Sequence, residues 1–216
     1  MIEATYIAHM GSDLTVANAA RVSFGKKSEM EDDPWGPPKL KAKDDKLIRY
    51  LAKHRHISPF GHCFASFHVK SPIFVARQLV KHKFLRWNEI SRRYVDDEPE
   101  FYVPDVWRGR SADKKQGSEG VVDVGDWGDT NWACLKAYND LLEHGVAPEM
   151  ARMVLPQSTM TEWYWSGSLD AFADMCNLRC KPDTQAETRE VARQIDHKMI
   201  ELFPVSWDAL TEDDDD

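Results

Sequence analysis

The chain has 216 residues, of which 42% are hydrophobic and 30% charged, a globular composition that excludes a disordered or collagen-like protein. Its net charge of −8 argues against a surface coated with basic residues for binding nucleic acid. No apolar run approaches the ~20 residues that cross a bilayer. The first residues lack a signal-peptide pattern, so we expect one cytoplasmic domain over 1–216 with no membrane partner.

Strand and helix patterns follow one another along the chain without regular alternation. Apolar residues at every second position predict strands, and those at three- and four-residue spacing predict helices. In chain order we predict a strand at 2–9, a helix at 13–21, a loop at 26–39, a helix at 41–53, a strand at 62–70, a helix at 71–84, an extended segment at 91–103, a flexible excursion at 108–129, helices at 130–144 and 148–155, a strand at 159–166, a helix at 168–179 and a last helix capped by Asp183 or Thr184 and ending at 202. This order favours an α+β fold.

The predicted helix at 71–84 carries a basic arc. Ser71 is its expected N-cap, and Pro72 its first residue. Residues 70–94 hold seven basic side chains against one acidic one, a net charge of +6, so the rest of the chain carries −14, partly in an acidic tail at 211–216. A solvated helix face and a site for an anionic ligand both fit this pattern.

The residues that follow this helix are varied in chemistry. They are Arg86, Trp87, Asn88, Glu89, Ser91, Arg92, Arg93 and Tyr94. Arginine binds phosphate through its planar fork, while amide and carboxylate groups bind polar edges and aromatic rings stack. The segment therefore indicates a phosphorylated ligand that bears a base.

At this point the sequence resembles a known family, the flavin-dependent thymidylate synthases (ThyX). The matching segments are SPIFVARQ (71–78) with KHKFLRWNEISRRY (81–94), AARVSF (19–24), LIRYLAKHRHISPFGHCFASFHVKSPIFVARQ (47–78), EMARMVLP (149–156), TEWYWSGSLDAFADMCNLR (161–179) and AETREVA (186–192). The resemblance implies an α+β fold with a mixed or antiparallel central sheet flanked by helices. It also implies a homotetramer whose active sites are shared between subunits.

The resemblance further implies reductive methylation of dUMP to dTMP. The carbon would come from methylenetetrahydrofolate, and the reducing equivalents from NADPH through bound FAD. Two alternatives stay open: flavin-dependent hydroxymethylation of a pyrimidine nucleotide, and a non-catalytic nucleotide-binding relative.

The resemblance also assigns site residues. The candidate catalytic residues are Arg179, Ser91 and His56. Arg179 would favour ionisation of the uracil at N3, and for Ser91 contact with phosphate or base is favoured over a nucleophilic role. The implied dUMP-binding residues are Gln78, Lys81, Glu89, Ile90, Ser91, Arg92, Arg93, Arg152 and Arg179. The implied FAD-binding residues are Ser58, Lys81, His82, Lys83, Asn88, Glu89, Ser168, Asp170 and Asp174.

Several residues depart from the family pattern. The usual Arg-His-Arg triplet is Lys81-His82-Lys83, which keeps the charge but loses the bidentate fork. Arg86 stands where the family usually has a small residue. Ser168, Asp170, Asp174 and Asp183 stand where many members have amides or cations near the flavin's adenosine part. Weaker FAD binding and redistributed contacts are both open.

The remaining reactive residues predict little chemistry. Cys63, Cys134, Cys176 and Cys180 form neither a C-x-x-C pair nor a zinc spacing, so we expect reduced, structural thiols and no metal site. The clustered His54, His56, His62 and His68 also match no metal-ligand spacing. Trp163 and Trp165 are expected in the core or an interface.

Overall fold

A computed structural model describes residues 1–112, 117–125 and 128–211. The strands are β1 (Glu3–Met10), β2 (Phe64–Pro72), β3 (Leu85–Glu89), β4 (Arg108–Arg110), β5 (Ser118–Val121) and β6 (Met160–Ser168). The helices are α1 (Asp13–Arg21), α2 (Ala42–Lys53), α3 (Ile73–Leu79), α4 (Gly128–Glu143), α5 (Pro148–Ala151), α6 (Leu169–Arg179), α7 (Ala186–Leu202) and α8 (Pro204–Thr211). Among these described helices, none combines the length and apolar character needed to span a membrane.

Strands β1, β2, β6 and β3 form, in that order, an antiparallel sheet. β2 and β6 pair from Phe64 opposite Ser168 to Pro72 opposite Met160. β3 lies on the other side of β6, with Leu85 opposite Gly167. The α+β prediction, with an antiparallel sheet flanked by helices, is confirmed.

One face of the sheet forms the core. Successive strand side chains point to opposite faces, and in β2 the buried set is Ala65, Phe67 and Val69. Helices α6 and α7 cover this face with Phe172, Met175, Val191, Ile195 and Met199, all buried. The opposite face remains open in the single chain, where Tyr164 is 53% exposed.

A tryptophan cluster joins β3 to β6 on the core face. Trp163 and Trp165 are each 1% exposed, which confirms their expected core position. The Trp87 ring stacks on Trp163 with centroids 4.1 Å apart and an interplanar angle of 18°. Such aromatic pairs contribute about 0.5–1.5 kcal/mol beyond the burial of their area.

The helix predicted over 71–84 is shorter than expected. Ser71 belongs to β2, Pro72 is the N-cap, and α3 ends at Leu79. Residues 80–84, predicted as the last part of the helix, form turns. Residues 85–89, for which no element was predicted, form β3, and their pairing with β6 places Trp87 against the tryptophan cluster.

Other boundaries also differ from the predictions. The N-cap of α7 is Gln185 and not Asp183 or Thr184, and the excursion at 108–129 contains the β4–β5 pair. Helix α8 was not predicted. The acidic residues at 212–216, like 113–116 and 126–127 of the excursion, lie outside the described residues.

A long-range hydrogen-bonding contact holds α8 in place. The carboxylate of Asp13 accepts hydrogen bonds from the backbone N–H groups of Val205 and Ser206, at 3.0 and 2.9 Å. Asp13 is 8% exposed. The carboxylate thus accepts hydrogen bonds from two N–H groups in the first turn of α8. Its negative charge also compensates the positive end of the helix dipole.

We expect Asp13→Ala to destabilise the fold by about 1–2 kcal/mol, the range for loss of a helix cap. For a chain of this size that lowers the Tm by about 2–8 °C, which thermal unfolding followed by circular dichroism measures. The matched control is Asp208→Ala on the same helix, which removes only an exposed ion pair with Arg49 and should cost less than about 1 kcal/mol. Equal effects of the two variants would contradict the capping role of Asp13.

Candidate active site

A tight corner between α3 and β3 presents the Lys81-His82-Lys83 triplet. Phe84, which closes the corner, has φ = 64°, in the left-handed region that non-glycine residues rarely adopt. The corner presses on the end of β6: a Cβ at Gly167 would lie 3.1 Å from the Phe84 carbonyl oxygen. Lys81 and Lys83 are exposed, and His82 is half-buried. Two cations are thereby held at the corner, next to the start of α6.

Arg179, at the end of α6, is held by the same corner. Its Nε donates a hydrogen bond to His82 Nε2 at 3.0 Å, and a terminal nitrogen donates to the Gln78 carbonyl oxygen at 3.4 Å. Burial and the adjacent Arg179 cation lower the pKa of His82 to about 4. The imidazole is therefore neutral at neutral pH, as its acceptor role requires.

The positive charge of the Arg179 guanidinium is not balanced by a negatively charged partner among the described residues. Burial lowers the pKa of Arg179, yet an arginine stays protonated in proteins. No carboxylate pairs with it among the residues that the structure describes. A half-buried cation oriented by a neutral imidazole is free to stabilise an anion that approaches it.

A second group of residues lines a cavity of about 430 Å³ between α3, the end of β3 and the segment 152–161. Its polar lining consists of Arg77, Glu89, Arg92, Arg152, Gln157, Thr159 and Thr161. Of the described ionisable residues in this wall, three are arginines and one is a glutamate. Their net positive charge and forked donors suit a phosphate group.

Glu89 is held rigidly at the end of β3. One carboxylate oxygen accepts from Thr161 Oγ1 at 2.6 Å, and the other accepts from Trp87 Nε1 at 3.0 Å. The next residue, Ile90, continues the pairing by donating its N–H to the Glu162 carbonyl oxygen at 2.9 Å. The register of β3 on β6 therefore sets the position of this carboxylate in the cavity wall.

The chain turns at Ser91, which does not line the cavity. The Ser91 hydroxyl accepts a 3.4 Å hydrogen bond from the Arg93 N–H. Within the described ranges, no imidazole or carboxylate is hydrogen-bonded to that hydroxyl, so the geometry supplies no base for a nucleophilic serine. Arg93 contacts Glu149 and lies over the Tyr94 ring, while Arg92 donates to the Asp97 carbonyl oxygen at 2.7 Å.

A third group surrounds the start of α6. Ser168 is the N-cap of α6, and the Leu169 N–H donates to the Cys63 carbonyl oxygen, which brings the loop after α2 to this point. Asp170 has one buried carboxylate oxygen without a hydrogen-bond partner among the described residues. Burial, and secondarily the charge of Asp170, raises the pKa of Asp174, against the opposing effect of Arg55.

Two further residues of the predicted flavin set lie near α2 or on the open face of the sheet. Ser58 is exposed in the loop after α2. Asn88 is also exposed, opposite Tyr164 on the open face and away from the cavity. Arg86 shares that open face.

The candidate catalytic His56 lies in an aromatic group at the end of α2. Its ring stacks with Tyr50 at a centroid distance of 6.3 Å, and His54 lies 4.3 Å from the same tyrosine ring. This arrangement leaves His56 exposed. It forms a stacking surface and no metal cluster within the described chain.

One chain thus brings only part of the predicted nucleotide set together. Glu89, Ile90, Arg92 and Arg152 line the cavity, whereas Gln78, Lys81, Ser91, Arg93 and Arg179 do not. The sequence analysis missed Arg77 and Thr161 as site residues. Arg77 could be identified from its place on the basic arc of the predicted helix. Thr161 lies beside Glu89 in the cavity wall only because of the register between β3 and β6.

Cys63 shows no sign of a catalytic thiolate. Burial raises the pKa of Cys63 to about 11, and all four cysteines are free, as expected. A nucleophilic cysteine needs a lowered pKa and access to substrate. Cys63 has neither of these properties.

The sequence matches the family model described as "Thymidylate synthase complementing protein" over residues 5–205. A flavin-dependent thymidylate synthase of Thermus thermophilus is 41% identical over 211 residues, covering 94% of this chain and 73% of the relative. The flavin-dependent thymidylate synthase of Thermosipho africanus is 37% identical over 210 residues, covering 93% of this chain and 87% of the relative.

Solved structures agree with this match. The UMP/dUMP methylase PolB from Streptomyces cacaoi, bound with 5-Br dUMP, has a TM-score of 0.84 at 32% identity and covers 98% of this chain and 95% of its own. The same methylase bound with 5-Br UMP has a TM-score of 0.80 at 31% identity. The chain therefore belongs to the thymidylate synthase complementing protein family, whose relatives named above are flavin-dependent thymidylate synthases.

Proposed function

We propose that this protein catalyses the reductive methylation of dUMP to dTMP. The observation that carries the proposal is the 430 Å³ cavity walled by Arg77, Arg92 and Arg152 beside an oriented Glu89. Family membership and the similarity to a methylase solved with 5-Br dUMP support the same assignment. Both point to an enzyme of nucleotide methylation.

In this proposal the cavity binds the nucleotide by its charges. The three arginines bind the phosphate dianion through charge-assisted hydrogen bonds. The Glu89 carboxylate, already fixed by Thr161 and Trp87, keeps lone pairs that accept from a sugar hydroxyl or a base N–H. The carboxylate orients the nucleotide, and the arginines supply most of the attraction.

Arg179 supplies the electrostatic part of the chemistry. Its uncompensated positive charge stabilises uracil ionised at N3, which makes the ring electron-rich and able to attack the one-carbon unit. The neutral His82 acceptor fixes the guanidinium without cancelling its charge. Arg179 is accordingly the residue we assign to activation of the base.

Arg179 does not line the arginine cavity within one chain, and we propose that a second copy completes the site. We propose a homotetramer in which the cavity of one subunit faces the Arg179 corner of another. Two features support this assembly: the open sheet face that carries Tyr164, and the division of the predicted nucleotide residues into two groups. The expected single domain over 1–216, the cytoplasmic location and the absence of a nucleic-acid partner remain predictions.

The residues near the start of α6 fit FAD with redistributed contacts. Lys81 and Lys83 offer cations for a diphosphate, and the unpartnered Asp170 oxygen requires a donor such as a ribose hydroxyl. His56, Ser58, Ser168 and Asp174 complete the proposed surface around the flavin and folate. FAD, when bound, supplies the reducing electrons; NADPH as reductant and methylenetetrahydrofolate as carbon donor belong to the same proposal.

We expect the purified protein to be yellow and to bleach under NADPH, faster with dUMP present. With methylenetetrahydrofolate added, mass spectrometry should identify dTMP as the product. Reactions lacking dUMP or the folate are the controls. A protein that cannot be loaded with flavin would overturn the proposal, and a hydroxymethylated product would replace it with the alternative reaction.

Arg179→Ala should reduce kcat by about 10²–10³-fold, because a preorganised charge facing the developing anion is removed. Steady-state kinetics with dUMP measure the loss, and flavin absorbance and sedimentation check that cofactor binding and assembly persist. Arg49→Ala is the matched control, since Arg49 pairs with Asp45 and Asp208 away from the cavity. An Arg179→Ala enzyme with kcat close to that of the control would exclude the assigned role.

We expect the titration of His82 to lower the stability of the fold as the pH decreases. Its pKa is about 4 in the folded chain and ~6.5 when unfolded, so between these values the unfolded chain binds the proton more tightly. Stability is therefore lost as the pH falls from about 6.5 towards about 4. Chemical unfolding over this range should show a smaller loss for His82→Gln, whose amide oxygen still accepts from Arg179 but does not titrate. Identical pH dependence in the two proteins would rule this out.

A further inference from the structure

Two cysteines and an aspartate converge where the end of α6 meets α7. Cys176 is buried in the last turns of α6, and Cys180, four residues later, is its half-buried C-cap. Asp196 extends towards them from α7. One ligand atom from each of the three lies within 4.8 Å of the other two.

We propose that Cys176, Cys180 and Asp196 form a binding site for a thiophilic divalent cation of the zinc type. Thiolate sulfur and carboxylate oxygen are established zinc ligands, with Zn–S distances of about 2.3 Å. In a tetrahedron of that size the sulfur atoms lie roughly 3.8 Å apart. The two sulfur atoms, within 4.8 Å of each other, therefore need to approach by no more than about 1 Å.

The carboxylate of Asp196 is already oriented for this role. The indole Nε1–H of the buried Trp207 donates to Asp196 Oδ1 at 2.8 Å. The hydrogen bond leaves the second carboxylate oxygen available. Such outer contacts to a ligating group fix its geometry and strengthen metal binding.

The surroundings give the cation access to the site and reduce the electrostatic cost of placing negatively charged ligands together. A cavity of about 300 Å³ opens beside the three groups, bordered also by Asn177 and Thr211. It has room for a water as the fourth ligand. Arg189 and Arg193 lie close enough to interact electrostatically with Cys180, which offsets part of the negative charge of its thiolate.

The predicted absence of a metal site followed from sequence spacing, because neither the cysteines nor the clustered histidines match a metal-ligand pattern. The third ligand comes from a different helix, 16 residues beyond Cys180, so no compact motif signals it. A disulfide between the two cysteines explains neither the position of Asp196 nor its hydrogen bond from Trp207. The bound ion would link the end of α6, directly after Arg179, to α7.

The test is a titration of the reduced, metal-stripped full-length protein with Co²⁺, followed by displacement with Zn²⁺. We expect one Co²⁺ per chain, a thiolate-to-cobalt charge-transfer band, and loss of that band as Zn²⁺ replaces Co²⁺. Zn²⁺ should also raise the Tm, because it binds the folded state preferentially. No band, or weak cobalt absorption of the kind that oxygen ligands alone produce, would overturn the proposal.

Variants distinguish cobalt binding at this site from cobalt binding at other groups of the chain. Cys180→Ser should abolish the band, and Asp196→Asn, which still accepts from Trp207, should weaken Co²⁺ binding by at least about tenfold. Cys134→Ser is the matched control, because Cys134 lies on α4, outside the cluster, and should leave the band intact. Circular dichroism confirms that each variant is folded, and a band that survives in folded Cys180→Ser protein would refute the site.

Discussion

The pairing of β3 with β6 is the constraint on which the site depends. This pairing stacks the Trp87 ring on Trp163 in the core and places the corner at Phe84 in contact with Gly167. Because the strands are antiparallel, the cationic corner lies at the end of β6 and Glu89 lies near its start. A shift of one residue would turn Glu89 to the opposite face of the sheet. The same register therefore decides both the packing of the core and the chemistry at its two ends.

The electrostatics of the site depend on cationic side chains whose charge is not balanced by neighbouring carboxylates. The chain as a whole is acidic, yet Arg179 is hydrogen-bonded to a neutral imidazole and three arginines share the cavity wall with one glutamate. Burial makes an unpaired charge costly, and the cost is offset when an anionic ligand arrives. On the proposed function, the exposed lysines at the corner serve a diphosphate as point charges, and the unpartnered oxygen of Asp170 accepts from a hydroxyl donor.

Sequence patterns predicted the layers of the fold and the main charged segment, because both follow from local periodicity and composition. They failed where tertiary contact determines the structure. No pattern predicted residues 85–89 as a strand, which they become through pairing with β6, and α8 is held by the distant Asp13 carboxylate. Of the predicted nucleotide residues, Glu89, Ile90 and Arg92 are close in sequence and line one cavity. Thr161 and Asp196 are brought to their partners only by the register of a sheet and the packing of two helices.

The division of the nucleotide residues into two groups links assembly to catalysis. A subunit that carried both Arg179 and the arginine cavity in one pocket would bury four guanidinium groups close together, and their mutual repulsion would destabilise the isolated chain. In the proposed tetramer these groups come together only where subunits associate and an anionic nucleotide offsets their charge. On the proposed function, the tetramer is then the smallest form in which uracil and phosphate are bound at once.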